Sequence, residues 1–396
     1  MNTKKKENIV IIGPGKAFLS GVSYHTLYLS NALAKRAEVH AILIRRLLPK
    51  VLFPGRVRVG RALSSLELQL PSDKVYSSLD YNNPFTWAKA LAKMWVQRPT
   101  AILVMWWTSA VSLFLVPMLI CYKIFRRNMI VIDAQEVVDT GEYRSSLSKV
   151  GKLIGTILFQ IADGIVVQSA SYIKDIKHEY LVDSKKIAII PEGSFDHLPI
   201  MSQQQAKEQI GLNNFDIILY FGLVRRYKGV PLLLDAFESL ATTQIERKKL
   251  IIAGEIWEDH DYIVSRVGTS KYRNHILLIP RYLDDREVAM VFSAADVVVL
   301  PYNTASGSGV ARLCMHFNKK VVHSNVPSLV EDFRGYERAT SFRAGDVQDL
   351  AHKLVLLLNT KVEQPPKTRT FDDVAVDLLA FIDSVHNSKQ KRDINH

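Results

Sequence analysis

The sequence predicts an α/β chain folded as two doubly wound lobes, each a parallel sheet covered by helices on both faces. Three observations carry this expectation. Short β-rich apolar runs alternate with helical patterns along nearly the whole chain, as crossover-connected parallel strands require. Prolines and polar residues interrupt the alternation at "PEGSFDHLPIMS", residues 191–202, after which it restarts. A length of 396 residues exceeds one ordinary core and suits two domains of about 100–200 residues each. The boundaries implied are 1–196, 197–370 and a terminal helix and tail over 371–396.

The elements follow in order. The first half offers strands at "NIVIIG", "EVHAILI", "AILVMWW", "MIVID", "GIVVQ" and "IAIIP", with helices such as "GVSYHTLYLSNALAKR" and "KLIGTILFQIA" between them. The second half repeats the alternation through "DIILYFG", "KLIIAG", "HILLIP", "DVVVLPY" and "KVVHS". The stretch "AILVMWWTSAVSLFLVPMLICY", residues 101–122, is long and apolar enough for a membrane span. Thr108, Ser109 and Ser112 interrupt it, so a buried strand, a Ser/Thr cap and a buried helix read equally well. The pattern "FDDVAVDLLAFIDSV" can pack on either lobe, and "HNSKQKRDINH" reads as a solvated tail.

Composition narrows the function. With 48% hydrophobic and 23% charged residues the chain is an ordinary folded protein and not a mainly disordered one. Fifty-one Lys and Arg against 39 Asp and Glu leave a formal charge of +12, which favours an anionic partner: nucleic acid, an acidic membrane face or a phosphate-bearing ligand. Nucleic acid is set aside for want of a motif or stacking aromatics. Cys121 and Cys314 stand far apart in apolar surroundings, supporting neither a disulfide framework nor a zinc site and pointing to a reducing compartment. The 11 histidines show no paired ligand spacing, so no metal is expected. "MNTKKKENIVIIG" reads as a first strand and not a signal peptide, and the expected location is the cytoplasm.

Two loops carry anion-binding chemistry. After "DIILYFG" comes "LVRRYKGVPLLLDAF", where Gly222 permits a tight exit and Arg225 and Lys228 stand at the mouth of the next helix. Free N–H groups at a helix start and nearby cations add up to a diphosphate site, with a solvated basic turn as the plain alternative. In "SGSGVARLCMHF", Ser308, Gly309 and Val310 stand where strand gives way to helix, with small side chains that leave backbone N–H groups accessible. Both loops lie at the carboxyl ends of strands in one lobe, where ligands of open α/β sheets bind.

The series "FGLVRRYKGVPLLLDAF", "LIIAGE", "IPRYLDDREVAMVFSAADVVVLPY" and a small-residue loop into a helix resembles the carboxyl lobe of GT-B glycosyltransferases, in particular glycosyltransferase family 4. "GPGKAFLSGVSYHTLYLSNALAKR", "IDAQEVVDTGE", "ADGIVVQSASYIKDI" and "IIPEGSFDHL" are similar to segments of the amino lobe, so the likeness covers roughly residues 8–360. It implies two Rossmann-like lobes with a cleft between them and sugar transfer from a nucleotide-diphosphate donor that serves as substrate; no cofactor is expected. Arg225 and Lys228 match the family's phosphate-neutralising pair, Arg281 and Tyr282 the base-recognising segment, and Gly307, Ser308 and Gly309 the loop against diphosphate and sugar. Gly15, Gly21 and His25 fall in the glycine loop and first helix that face the cleft.

The departures matter as much. Many members carry two glutamates across the small loop and its helix, one near the donor sugar and one near the ribose; here the positions are Ser306 and Cys314. Gln135 stands where a histidine often precedes the glutamate, and Glu192 where relatives often have histidine. Glutamine cannot titrate. A base for the acceptor proton is then sought among Glu136, Asp139 and Glu142, which cluster after a strand and read alternatively as a solvated acidic turn. "RRLLPKVLFPGRVRVGR", residues 45–61, interleaves leucines with basic residues, as suits an anionic membrane face, or else is an ordinary basic loop. The expectation is a transferase extending a glycan or lipid-linked acceptor, peripheral on the inner face of the cell membrane. The alternative is a noncatalytic relative that serves as partner to an active transferase.

Overall fold

A computed structural model of the chain describes residues 7–15, 21–46, 66–126, 128–135, 146–194, 197–305, 308–360 and 369–394. It divides into two units, Met1–Gly193 with Arg369–His396, and Ser194–Thr368.

The first unit runs β1 (Asn8–Pro14), α1 (Gly21–Ala34), β2 (Glu38–Arg46), β3 (Val75–Asp80), α2 (Pro84–Gln97), β4 (Ala101–Trp106), α3 (Ser112–Phe125), β5 (Met129–Ala134), α4 (Ser146–Ile161), β6 (Gly164–Val167), α5 (Ser171–Tyr180) and β7 (Ile187–Ile189). Its seven strands pair in parallel in the order β3-β2-β1-β4-β5-β6-β7. Every residue of β4 and β5 is buried, which is why those segments read as continuous apolar runs without alternation. The strand order reverses between β1 and β4, and α1 begins there, packed close enough that a methyl on Gly13 would stand 2.7 Å from Met105 Cγ and 2.8 Å from Thr26 Oγ1. Only glycine fits that approach.

The 101–122 stretch resolves into β4, a 3-10 turn at Ser109–Val111 and the start of the 14-residue α3. Ser112 Oγ lies between two carbonyl acceptors, Ser109 O (2.6 Å) and Gly151 O (2.7 Å), which share its one proton, so this interrupting serine is spent on turn and helix contacts. Among the described residues no helix is long and apolar enough to cross a membrane. The terminal helix, α13 (Phe371–Ile394), belongs to the first unit, where Phe371 stacks on Tyr28 at 4.8 Å between centroids. Residues 47–65, most of the basic, leucine-bearing segment, lie outside the described residues.

The second unit contains α6 (Gln203–Gln209), β8 (Asp216–Phe221), α7 (Val230–Gln244), β9 (Lys248–Ala253), α8 (His260–Gly268), β10 (Ile276–Ile279), α9 (Asp285–Ala294), β11 (Val297–Leu300), α10 (Gly309–His316), β12 (Lys320–Ser324), α11 (Pro327–Asp332), β13 (Ala339–Phe342) and α12 (Val347–Asn359). Six parallel strands take the order β10-β9-β8-β11-β12-β13, with the reversal between β8 and β11. The loops leaving those two strands are the two that the sequence marks for an anion.

Candidate active site

In the second unit, Gly222 carries the chain out of β8 at φ +118°, a conformation that disfavours any side chain. Its N–H donates to Ala253 O at 3.0 Å, and a methyl on Gly254 would stand 2.0 Å from Gly222 O. The exit from β8 is therefore locked backbone to backbone against the exit from β9. Gly229 repeats the device against β11, since a methyl there would stand 1.9 Å from Pro301 O. Between these fixed points the basic residues are aimed by aromatic rings. Arg225 is buried, its guanidinium 4.5 Å from the centroid of Trp257. The Lys228 ammonium lies 5.2 Å from the centroid of Tyr302 and 5.9 Å from that of Tyr227. Ring faces attract cations without neutralising their charge.

The same ammonium meets the second loop. A methyl built on Gly222 would find Val310 Cγ2 at 3.4 Å and Lys228 Nζ at 3.6 Å, so the β8 exit, Lys228 and the first turn of α10 converge. The N–H groups of Gly309 and Val310 belong to that first turn and have no intrahelical acceptor. Ser308 differs from the expectation for it. Its N–H donates to Asp332 Oδ2 at 3.0 Å, because Arg312 holds that carboxylate in place with a 2.6 Å ion pair. Of the three amides marked by the sequence, two remain for an anion.

Two further expectations need correcting or refining. Cys314, placed beside a ribose by the resemblance, is fully buried. It lies on the apolar stripe Val310, Leu313, Cys314, Phe317 at the spacing of one helix face, and burial pushes its thiol pKa up. The Arg281 guanidinium is bound by Glu287 at 2.8 and 2.5 Å, the residue that also completes the capping box of α9 with Asp284, so Arg281 offers its backbone but a committed side chain. Tyr282 follows it, half-buried. Ser306, Gly307, Glu136, Asp139 and Glu142 all lie outside the described residues.

In the first unit, residues distant in sequence assemble at the carboxyl ends of β5 and β6. His25 of α1, only 2% exposed, faces Asp133 Oδ2 through Nε2 at 2.8 Å and Glu192 Oε1 through Nδ1 at 2.9 Å. Burial opposes charge on the ring, yet the two carboxylates outweigh it and hold the pKa up at about 10. The ring then donates from both nitrogens as imidazolium. Asp133 Oδ1 in turn accepts from Gln135 Nε2 at 2.8 Å and Gln168 Nε2 at 2.9 Å. Thus His25, Gln135 and Glu192, singled out separately by the sequence, form one network. Gly15 follows the last residue of β1, with a methyl there 3.1 Å from Leu43 Cβ, whereas a methyl on Gly21, which opens α1, would find nothing within 4 Å.

Asp133 and Gln168 are the members that sequence reasoning missed. A signal existed: each is a polar residue closing an otherwise apolar strand, "MIVID" and "GIVVQ". Among the described residues no group of three or more His, Cys, Asp or Glu is arranged to hold a metal ion.

Two doubly wound parallel-sheet units, the second with glycine-locked loops converging on a lysine and a helix start, define the GT-B class of fold. Solved structures agree. Sucrose-phosphate synthase from Thermosynechococcus elongatus superposes with a TM-score of 0.63 at 16% identity, over 99% of this chain and 100% of the other. HepE from Anabaena in complex with UDP-glucose gives 0.64 at 14% identity, over 97% and 99%. The catalytic domain of starch synthase IV from Arabidopsis thaliana, bound to ADP and acarbose, gives 0.67 at 12%, over 96% and 99%. No curated protein sequence matches significantly. Residues 202–370 match the family described as glycosyl transferases group 1. The second unit is a domain of that family, and the protein is a glycosyltransferase.

Proposed function

We propose that the protein transfers a sugar from a nucleoside diphosphate sugar, bound by its second unit, to a hydroxyl of a glycan or lipid-linked acceptor at the cytoplasmic face of a membrane. The observation that carries the donor half is the convergence of Lys228 Nζ, the Gly222 turn and the first turn of α10, with Arg225 of the same loop held on Trp257. As the bond from the anomeric carbon to the diphosphate breaks, charge builds on the leaving phosphate. Arg225, Lys228 and the Gly309 and Val310 N–H groups supply opposite charge already in position. HepE with UDP-glucose and starch synthase IV with ADP support a nucleotide-linked donor. Glu136, Asp139 and Glu142 are the proposed sources of the base that takes the acceptor proton. The membrane half rests on the +12 charge and on the basic, leucine-bearing segment 45–61.

A thermal-shift series with UDP, ADP, GDP and their glucose conjugates tests the donor half. Ligand at a hundred times its dissociation constant adds about 2.7 kcal/mol, and the response weakens in Lys228→Ala. A folded wild-type protein that answers to none of them refutes the reading and favours a noncatalytic partner role. For the membrane half, the protein floats with anionic liposomes at low salt; complete recovery in the soluble fraction refutes it.

A further inference from the structure

Besides the Gly309 and Val310 N–H groups, two features at the start of α10 attract an anion, and one carboxylate already occupies both. Ser308 N–H donates to Asp332 Oδ2 at 3.0 Å, and Arg312, in the first turn of the helix, gives Asp332 Oδ1 a 2.6 Å ion pair. Side chains on a helix lean toward its amino end, so the Arg312 guanidinium reaches back toward the loop that precedes α10. A cation there opposes the helix dipole, and the carboxylate beside it offsets that cost. Arg312 and Asp332 are 8% and 9% exposed, so salt and water screen their charges little. Asp332 closes α11, and the same short helix also holds the far side of the loop, where Ser328 Oγ donates to Ala305 O at 2.8 Å. The loop is thus fastened to α11 on both sides of positions 306 and 307, with the carboxylate at its α10 end.

We propose that Asp332 sets the affinity of the donor site as an internal anion, taking the Ser308 N–H and the Arg312 charge that a diphosphate would otherwise use. It is a positioning residue: it acts through Ser308 and Arg312 on the anion received by the Gly309 and Val310 N–H groups and Lys228. A carboxylate and a phosphate at neighbouring amides of one helix start repel each other, and burial strengthens the repulsion. The consequence is a site that holds a nucleoside diphosphate less tightly than its cations allow and releases the spent one readily after sugar transfer. The inference rests on the donor reading above.

The test titrates the full-length wild-type protein with UDP, ADP and GDP by calorimetry and repeats the responding nucleotide on variants whose melting curves show them folded. Asp332→Asn keeps the shape of the side chain and removes its charge; its one oxygen stays with Arg312, and its NH2 group cannot accept from Ser308. With that N–H released to the ligand, affinity rises about fivefold, the scale of one hydrogen bond gained. Arg312→Gln leaves the carboxylate uncompensated, and affinity falls by about the same factor. The double variant is again neutral at this point, and its affinity lies between those of the two single variants. Opposite signs are the signature, because a pair that merely scaffolds the loop weakens binding whichever member is replaced. If the Asn variant does not fold, Asp332→Ser carries the same expectation. Weaker binding in both single variants, or a rise of less than about twofold in the aspartate variant, overturns the proposal and leaves the donor reading standing. A folded wild-type protein that answers to no nucleotide overturns both.

Discussion

The carboxyl edges of the two sheets handle positive charge in opposite ways. In the first, His25 is enclosed by Asp133 and Glu192, two carboxylates on one imidazolium. In the second, Arg225 and Lys228 lie over Trp257, Tyr227 and Tyr302. A cation enclosed by carboxylates is discharged locally and acts on its neighbours through hydrogen-bond direction. A cation over a ring face is attracted by the ring quadrupole, which carries no net charge. The two edges therefore fix their cations by different partners, carboxylates in one and ring faces in the other.

The contrast breaks most visibly at His25. Replacing it with Ala removes the partner of the buried Asp133 carboxylate and of the half-buried Glu192, and removing one partner of a buried ion pair costs roughly 3–5 kcal/mol. Chemical denaturation of the first unit should show that loss while UDP still stabilises the second; a loss under 1 kcal/mol would mean the network is solvated. Lys228→Ala should do the reverse, leaving unliganded stability nearly unchanged and lowering turnover about 100-fold, as removal of one preorganised charge-stabilising donor does. Steady-state kinetics with saturating acceptor reads this.

A pH titration sharpens the same comparison. The folded pKa of His25, about 10, exceeds the ordinary value of 6.5, with Asp133 and Glu192 the charged groups facing the ring from β5 and from the segment after β7. A raised pKa contributes stability fully below pH 6.5 and loses it as pH climbs through about 10. Melting temperature should accordingly fall across that window, and the slope should vanish in His25→Gln. The smallest effect belongs to Arg281→Ala. Its pair with Glu287 is exposed, and such pairs contribute about 0.2–1 kcal/mol. A shift in nucleotide affinity larger than threefold would show that the side chain itself touches the donor.

Much of this is legible in the sequence. Apolar runs of four to seven residues separated by helical patterns specified both sheets, and the loops after β8 and β11 were recognisable from glycine, Arg225 and Lys228 in one short span. What stayed hidden depends on contacts between distant segments. Nothing near Ser308 in sequence announces that Asp332 takes its N–H. Likewise His25 and Asp133 are 108 positions apart, and each alone reads as an ordinary polar residue in a buried helix or strand. The burial of Cys314 is legible, since its stripe with Val310, Leu313 and Phe317 is a core pattern, although the family resemblance points the other way. The side chosen by α13 depended on Phe371 finding Tyr28, a stacking that no periodicity encodes.

The discontinuity of the first unit has a consequence for how the chain is made. Residues 194–368 form an uninterrupted insert within it, and a methyl on Gly193 would stand 2.6 Å from the backbone N of Phe371. Leaving a ribosome, the insert is complete while the unit that began first still lacks α13, so the order of completion runs against the order of synthesis. The nascent first unit waits with Tyr28, Asp163 and Gly164 lacking their α13 partners until that helix emerges, and chaperone capture or premature termination would act on those uncovered contacts.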